Sequence, residues 1–258
     1  MMILSADFHT HTRFSDAHDT VLAMAQRAKE LGLKAIAITD HGFSHVCFGV
    51  RRKKKEQYFK DIREAREKTG VNVLVGMEGN ILGRQGGSCL TEEDYRDFDV
   101  YLAGFHVFSH HESFRDFVNG WSGYLRYNMG LNGPKRLIKD QTLAYIRTVE
   151  RNPIDVLAHV NFQCFADSVE VAKCCRDYGT YFEISGKKTH FTDDELDKIV
   201  QTGVRFVVNS DAHSTDRVGD IRIAVEQIKR VGVPLDRIDN IDGKMPVFRF
   251  AEYKKRNL

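Results

Sequence analysis

Seven short runs of apolar and β-branched residues punctuate the chain: ILSADF, AIAIT, VNVLVGM, VYLAGF, DVLAHV, TYFEI and RFVVN. Each has the length of a strand. Between them lie stretches whose apolar residues recur at spacings of three and four, and this alternation is the mark of βα units. Strands of continuous apolar character are buried on both faces, as in a parallel sheet, and seven or eight such repeats close into a barrel more readily than they lie open. The helical stretches are 19–31 (DTVLAMAQRAKEL), 55–69, 134–151, 167–178, 193–202 and 217–231. The first stops at Gly32, a residue suited to the left-handed turn past a helix end. A barrel commonly takes about 200 to 250 residues as one unit. No fixed-length repeat or Pro-, Gly- or Ser-rich linker interrupts the 258 residues, so 1–258 reads as a single domain.

One stretch breaks the rhythm. Residues 107–133, VFSHHESFRDFVNGWSGYLRYNMGLNG, contain the only Trp and show no clear period. Loops this long are usually functional or disordered, and the aromatic content argues against disorder, so the segment reads as a lid-like insertion.

Composition removes several alternatives. At this length folding hides roughly 70 to 75% of the unfolded chain's surface, so a metal is not needed to hold the fold and would serve chemistry. Lys and Arg number 38 against 36 Asp and Glu, a net charge of +2, which gives no overall field drawing the protein to nucleic acid or an anionic membrane. Five cysteines without CxxC spacing suggest free thiols rather than disulfides or a cysteine zinc site. The opening MMILSADFH is interrupted too early by Asp7 and His9 for a secretory signal, and no run of about 18 apolar residues follows, so a cytoplasmic location without membrane contact is expected.

The potential metal ligands fall at the strand ends. His9 and His11 follow the first strand, His41 the second, Glu78 the third and His106 the fourth; His159 ends the fifth, and Asp211 and His213 follow the last. C-terminal strand ends of a barrel converge on one mouth, where active sites sit. Uncompensated, so many imidazoles and carboxylates would cost desolvation and charge repulsion, which divalent cations relieve. Mixed His, Asp and Glu ligation suits zinc, manganese or iron, and the number of ligands exceeds what one tetrahedral ion uses, so at least two ions are expected.

The ordered set FHTHT (8–12), ITDH (38–41), GMEGN (76–80), GFH (104–106), LAH (157–159) and NSDAH (209–213) resembles the motifs of the PHP, or polymerase and histidinol phosphatase, family. The resemblance implies an α/β fold, a distorted (β/α)7 TIM-like barrel, with up to three metal ions and phosphoesterase activity. It implies that His9, His11, Glu78 and Asp211 hold one ion, Glu78 bridging to a second held by His106 and His159. His41 and His213 would hold a third with a residue of the first loop, where Asp16, His18 and Asp19 are available and His18 is the expected ligand. Asp40 reads as an acceptor that orients an imidazole.

Two ions would lower the pKa of a shared water and bind phosphoryl oxygens, so no nucleophilic side chain is required and Ser15 and Ser210 read as structural. Fixed positive charge for phosphate is sought at Arg13, Lys187 and Lys188, and above all at Arg217, assigned with Asp40 to catalysis. His190, on the loop of Lys187, reads first as an exposed histidine. The expected function is hydrolysis of small phosphomonoesters. The alternative is a phosphodiesterase or exonuclease on nucleic-acid ends, using the basic run Arg51-Arg52-Lys53-Lys54-Lys55 and stacking on Trp121, Tyr124 and Tyr127.

Overall fold

A computed structural model describes residues 2–258. Its elements run β1 (Ala6–Thr10), α1 (Val21–Glu30), β2 (Ala35–Ile38), α2 (Lys55–Thr69), β3 (Asn72–Asn80), β4 (Val100–Gly104), α3 (Phe114–Asn128), α4 (Lys135–Arg151), β5 (Val156–Leu157), α5 (Ser168–Tyr178), β6 (Tyr181–Ser185), α6 (Asp193–Gln201), β7 (Phe206–Asn209), α7 (Arg222–Val231) and α8 (Arg249–Asn257). The seven strands form one parallel sheet in sequence order that curls into a nearly closed, distorted (β/α)7 barrel. No helix among the described residues is long and apolar enough to cross a membrane.

Local chemistry sets the helix limits. Thr20 caps α1 by accepting from the Ala23 amide at 3.1 Å, and the chain turns out of the helix at Gly32, whose φ is +71°. α6 opens with a capping box between Thr192 and Glu195. Along β2, Ala35 and Ala37 face the barrel interior while Ile36 and Ile38 pack beneath the helices, the alternation that a strand imposes. In β1 the ladder shifts register between Asp7 and Thr10. Phe8 lies in the inner cluster and His9 meets Glu183, so two successive side chains turn towards the barrel axis there.

The seam between β1 and β7 is built differently from the other six junctions. Thr10 and Ala212 form an isolated bridge, and below it side chains substitute for a ladder. Buried Asn240 donates to Ala6 O at 3.0 Å and Val208 O at 2.6 Å and accepts from Val208 N at 2.9 Å; Asn209 Oδ1 accepts from Phe8 N at 3.0 Å.

Two expectations need correction, and one element was not anticipated. Residues 107–133 are not structureless: Ser113 caps α3 at the Asp116 amide. The helix shows no apolar stripe because the positions it buries are Asp116, Gly120 and Gly123, while Phe114, Phe117 and Leu125 face outwards. A side chain at Gly123 would meet Gln141 Nε2 at 2.6 Å, so close approach to α4 excludes the large residues by which a helix is recognised. The segment 217–231 is helical from Arg222, and residues 215–217 form a separate 3₁₀ turn. Finally, α8 closes the base of the barrel, with Phe250 fully buried.

Candidate metal centre

Glu78 sits at the hub, fully buried near the end of β3. Its Oε2 lies 2.9 Å from His41 Nδ1, 3.5 Å from His9 Nε2 and 3.6 Å from His11 Nε2; its Oε1 lies 2.8 Å from His159 Nε2 and 3.4 Å from His106 Nε2. Asp211 Oδ1 approaches His11 Nε2 at 3.4 Å and His9 Nε2 at 3.7 Å. Side chains from six strand ends are thereby brought to one volume. Gly104 makes room for them, since a Cβ there would lie 2.6 Å from Glu78 Oε1 and 2.7 Å from the His159 ring.

The donor set fits divalent metal. Four overlapping groups have their ligand atoms within 4.8 Å of one another: His11–Asp16–His41–His213, His9–His11–Glu78, His9–His159–Asp211 and His41–Glu78–His106. His9 Nε2, both nitrogens of His11, His41 Nδ1 and both oxygens of Glu78 are buried without a hydrogen-bond partner, because the close approaches lack the required alignment. A buried polar atom left in this state costs about 1–3 kcal/mol, so a cation coordinated by these atoms accounts for an arrangement that hydrogen bonding does not.

Electrostatics agree. Burial lowers His11 to about 3 and His106 to about 4, leaving neutral imidazoles with the lone pair that ligation requires. At His41 burial is outweighed by Glu78 and Asp16, which raise it to about 10. Burial also opposes charge on Glu78, yet the imidazoles of His106, His9, His159 and His41 hold it well below the usual carboxylate range. A carboxylate this deep demands cationic neighbours.

A supporting layer orients the rings. His9 Nδ1 lies 2.9 Å from Glu183 Oε1, which also accepts from Asn209 Nδ2 at 2.9 Å, while Glu183 Oε2 accepts from the His159 amide at 2.8 Å. His106 Nδ1 pairs with Asn80 Oδ1 at 2.8 Å, and Asn80 donates to Ser44 Oγ at 2.8 Å. The two Nδ1 contacts turn Nε2 of His9 and of His106 towards the centre. His159 and Asp211 hold φ of +29° and +49°, the left-handed backbone that non-glycine residues adopt at a cost and that clusters at functional sites.

Several sequence expectations shift. In the first loop Asp16 faces His41 Nε2 at 3.5 Å and His213 Nε2 at 3.4 Å, whereas His18 is exposed and outside all four groups. Asp40 orients no imidazole; it accepts from Thr12 N at 2.7 Å, Thr12 Oγ1 at 2.6 Å and Ser15 Oγ, so it fixes the loop that carries Asp16. Arg217 pairs with Asp220, and Arg13 is an exposed side chain 3.9 Å from Asp61. Lys187 does reach the centre, its Nζ 3.1 Å from Asp211 Oδ2 and 3.3 Å from His213 Nδ1. His190 is half-buried, and burial lowers it to about 3. Sequence reasoning missed Glu183, Asn80 and His45, which stacks on His41 at 4.9 Å. Glu183 carried a signal, as the one charge within the apolar run TYFEI.

Fold and centre together define a parallel βα barrel with His, Glu and Asp groups that could hold divalent metal at its C-terminal mouth. The PHP domain model matches residues 7–189, and the chain belongs to that family. It is 27% identical over 274 residues to a protein of Thermoanaerobacter sp. (strain X514) named as a probable phosphatase, covering 100% of this chain and 98% of the relative. A second protein so named, from Acetivibrio thermocellus, is 29% identical over 260 residues, covering 97% and 95%. The fold resembles histidinol phosphate phosphatase from Lactococcus lactis, solved with zinc, L-histidinol and phosphate (TM-score 0.58, 16% identity, covering 89% of this chain and 94% of that one). The chain is an enzyme of the phosphatase class.

Proposed function

We propose that the protein hydrolyses small phosphomonoesters with two to three divalent ions, zinc, manganese or iron. The observation that carries this reading is the convergence of unpartnered, buried imidazole and carboxylate atoms on Glu78. His9, His11, Glu78 and Asp211 would hold one ion, Glu78 with His106 and His159 a second, and Asp16, His41 and His213 a third. Such ions polarise phosphoryl oxygens and lower the pKa of water.

The chain's own residues do the rest. Glu183 and Asn80 fix the rings they touch, and Asp40 fixes the first loop. Lys187, the cation beside Asp211 and His213, supplies positive charge to a phosphoryl group. α3, which follows the fourth strand end, serves as a lid that limits water at the mouth. The nucleic-acid alternative has less support: Arg52 and Lys55 of the basic run are paired with Asp94, and Trp121 and Tyr124 pack against Phe108. Phosphate release from a panel of monoesters, run beside a labelled single strand and with metal analysis of the same sample, tests the reading. Monoester turnover abolished by a chelator and restored by metal is expected. Strand cleavage without monoester turnover would overturn it.

A further inference from the structure

α3 carries its apolar residues on its outer face, the reverse of a helix that packs within one chain. Its inner positions are Asp116, Gly120 and Gly123, whereas Phe114 (81% exposed), Val118 (46%) and Leu125 (54%) face solvent with half-buried Trp121 between them. The outer four are spaced by four, three and four, the interval of a seam that packs on another helix. Phe117 and Met129 flank the seam. Phe108 meets the Trp121 ring at 5.4 Å and extends the patch to Val46, whose amide donates to Phe108 O at 2.8 Å. Scaled by the roughly 150–250 Å² of a whole aromatic side chain, the exposed parts amount to on the order of 800 Å². The largest apolar patch of a monomer is about 300–600 Å², and a stable complex buries about 800 Å² on each partner.

The charges of the helix are already engaged. Arg115 is held by Asp140 through contacts of 2.8, 3.0 and 3.2 Å, and Arg126 donates to Asn132 O at 3.1 Å. A second copy of the chain therefore meets no like-charge repulsion, while an acidic or basic partner finds no counter-charge. A lipid surface finds neither free basic residues nor the solvated polar face of an interfacial helix, since the opposite face of α3 is buried. We propose that the protein is a two-fold dimer in which α3 packs antiparallel on α3 of the second copy. That direction sets Trp121 against Val118 and Phe114 against Leu125, each ring against a smaller aliphatic side chain. A parallel pair would set Trp121 on Trp121 and leave Val118 facing Val118.

Analytical ultracentrifugation of the full chain tests it. A mass twice the 29.5 kDa of the chain is expected at micromolar concentration. Val118→Arg would put two cations into the seam and should weaken association by at least about 100-fold, with the far-UV circular dichroism unchanged. Phe114→Glu should do the same, at a side chain so exposed that its loss leaves the chain's own packing intact. Trp121 is the only tryptophan, so wherever the double mass gives way to the single one, by dilution or by either variant, its emission should move to the red. A wild-type protein that stays monomeric at every accessible concentration overturns the proposal. If that monomer floats with phosphatidylglycerol vesicles, the face belongs to a lipid surface instead. A dimer that survives either variant also overturns it, as does one that dissociates without a change in Trp121 emission.

Discussion

Glu183 touches no reacting group in the proposed chemistry, yet it links two of the proposed ion positions, through the His9 ring and the His159 amide. In Glu183→Gln one carboxylate oxygen becomes a donor, so at least one of its three present partners faces an NH2 instead of an acceptor. Outer partners of this kind typically carry 10- to 100-fold in metal affinity, and a loss of that order is expected in competition with a chelator. The first loop offers a sharper contrast: Asp16→Ala should weaken one metal equivalent by at least about tenfold, while His18→Ala should change neither metal content nor turnover by more than twofold. A third contrast concerns phosphate. Lys187→Ala should cost about 10- to 150-fold in kcat/KM, a charge-assisted contact being worth about 1.5–3 kcal/mol, and Arg217→Ala less than twofold because its guanidinium is held by Asp220. The strand-end histidines were legible because strand direction alone brings them together. Which of Asp16, His18 and Asp19 completes the set was not, because a loop's path depends on what pins it, here Asp40 on Thr12 and Ser15.

Secondary elements were readable where burial leaves a periodic trace, as in α1 with Val21, Met24, Ala25 and Ala28 on one face. α3 left none, its contact face being partly glycine. α8 is held to the barrel by Asp155, whose oxygens accept from Phe250 N at 2.7 Å and Tyr101 N at 3.0 Å, a pairing between residues 95 positions apart that local patterning does not encode. Burial outweighs those donors and raises Asp155 to about 7, above the roughly 3.9 of an unfolded aspartate. The folded chain therefore keeps a proton that the unfolded chain has released. Its stabilising contribution is present at low pH and is lost as pH rises through 7. Asp155→Asn removes the titration, so its deficit in Tm against the wild type should be larger at pH 5 than at pH 8. A deficit independent of pH would show that Asp155 stays ionised throughout.

At the scale of the whole molecule, the barrel's repeating pattern was plain in the sequence, but its closure was not, since Asn240 lies 32 positions beyond Val208 and gives no periodic signal. His9 and His11 stand on one side of that seam, and Asp211 and His213 on the other. If an ion shared between them leaves by parting of the two sides, release and seam breathing become a single event. Metal exchange should then follow the opening rate of the barrel rather than the strength of any one coordinate bond. Asn240→Ala removes no proposed ligand, yet each 1.4 kcal/mol it takes from the seam should quicken metal loss to excess chelator by about tenfold. A rate equal to that of the wild type would mean that the ions escape through the open mouth.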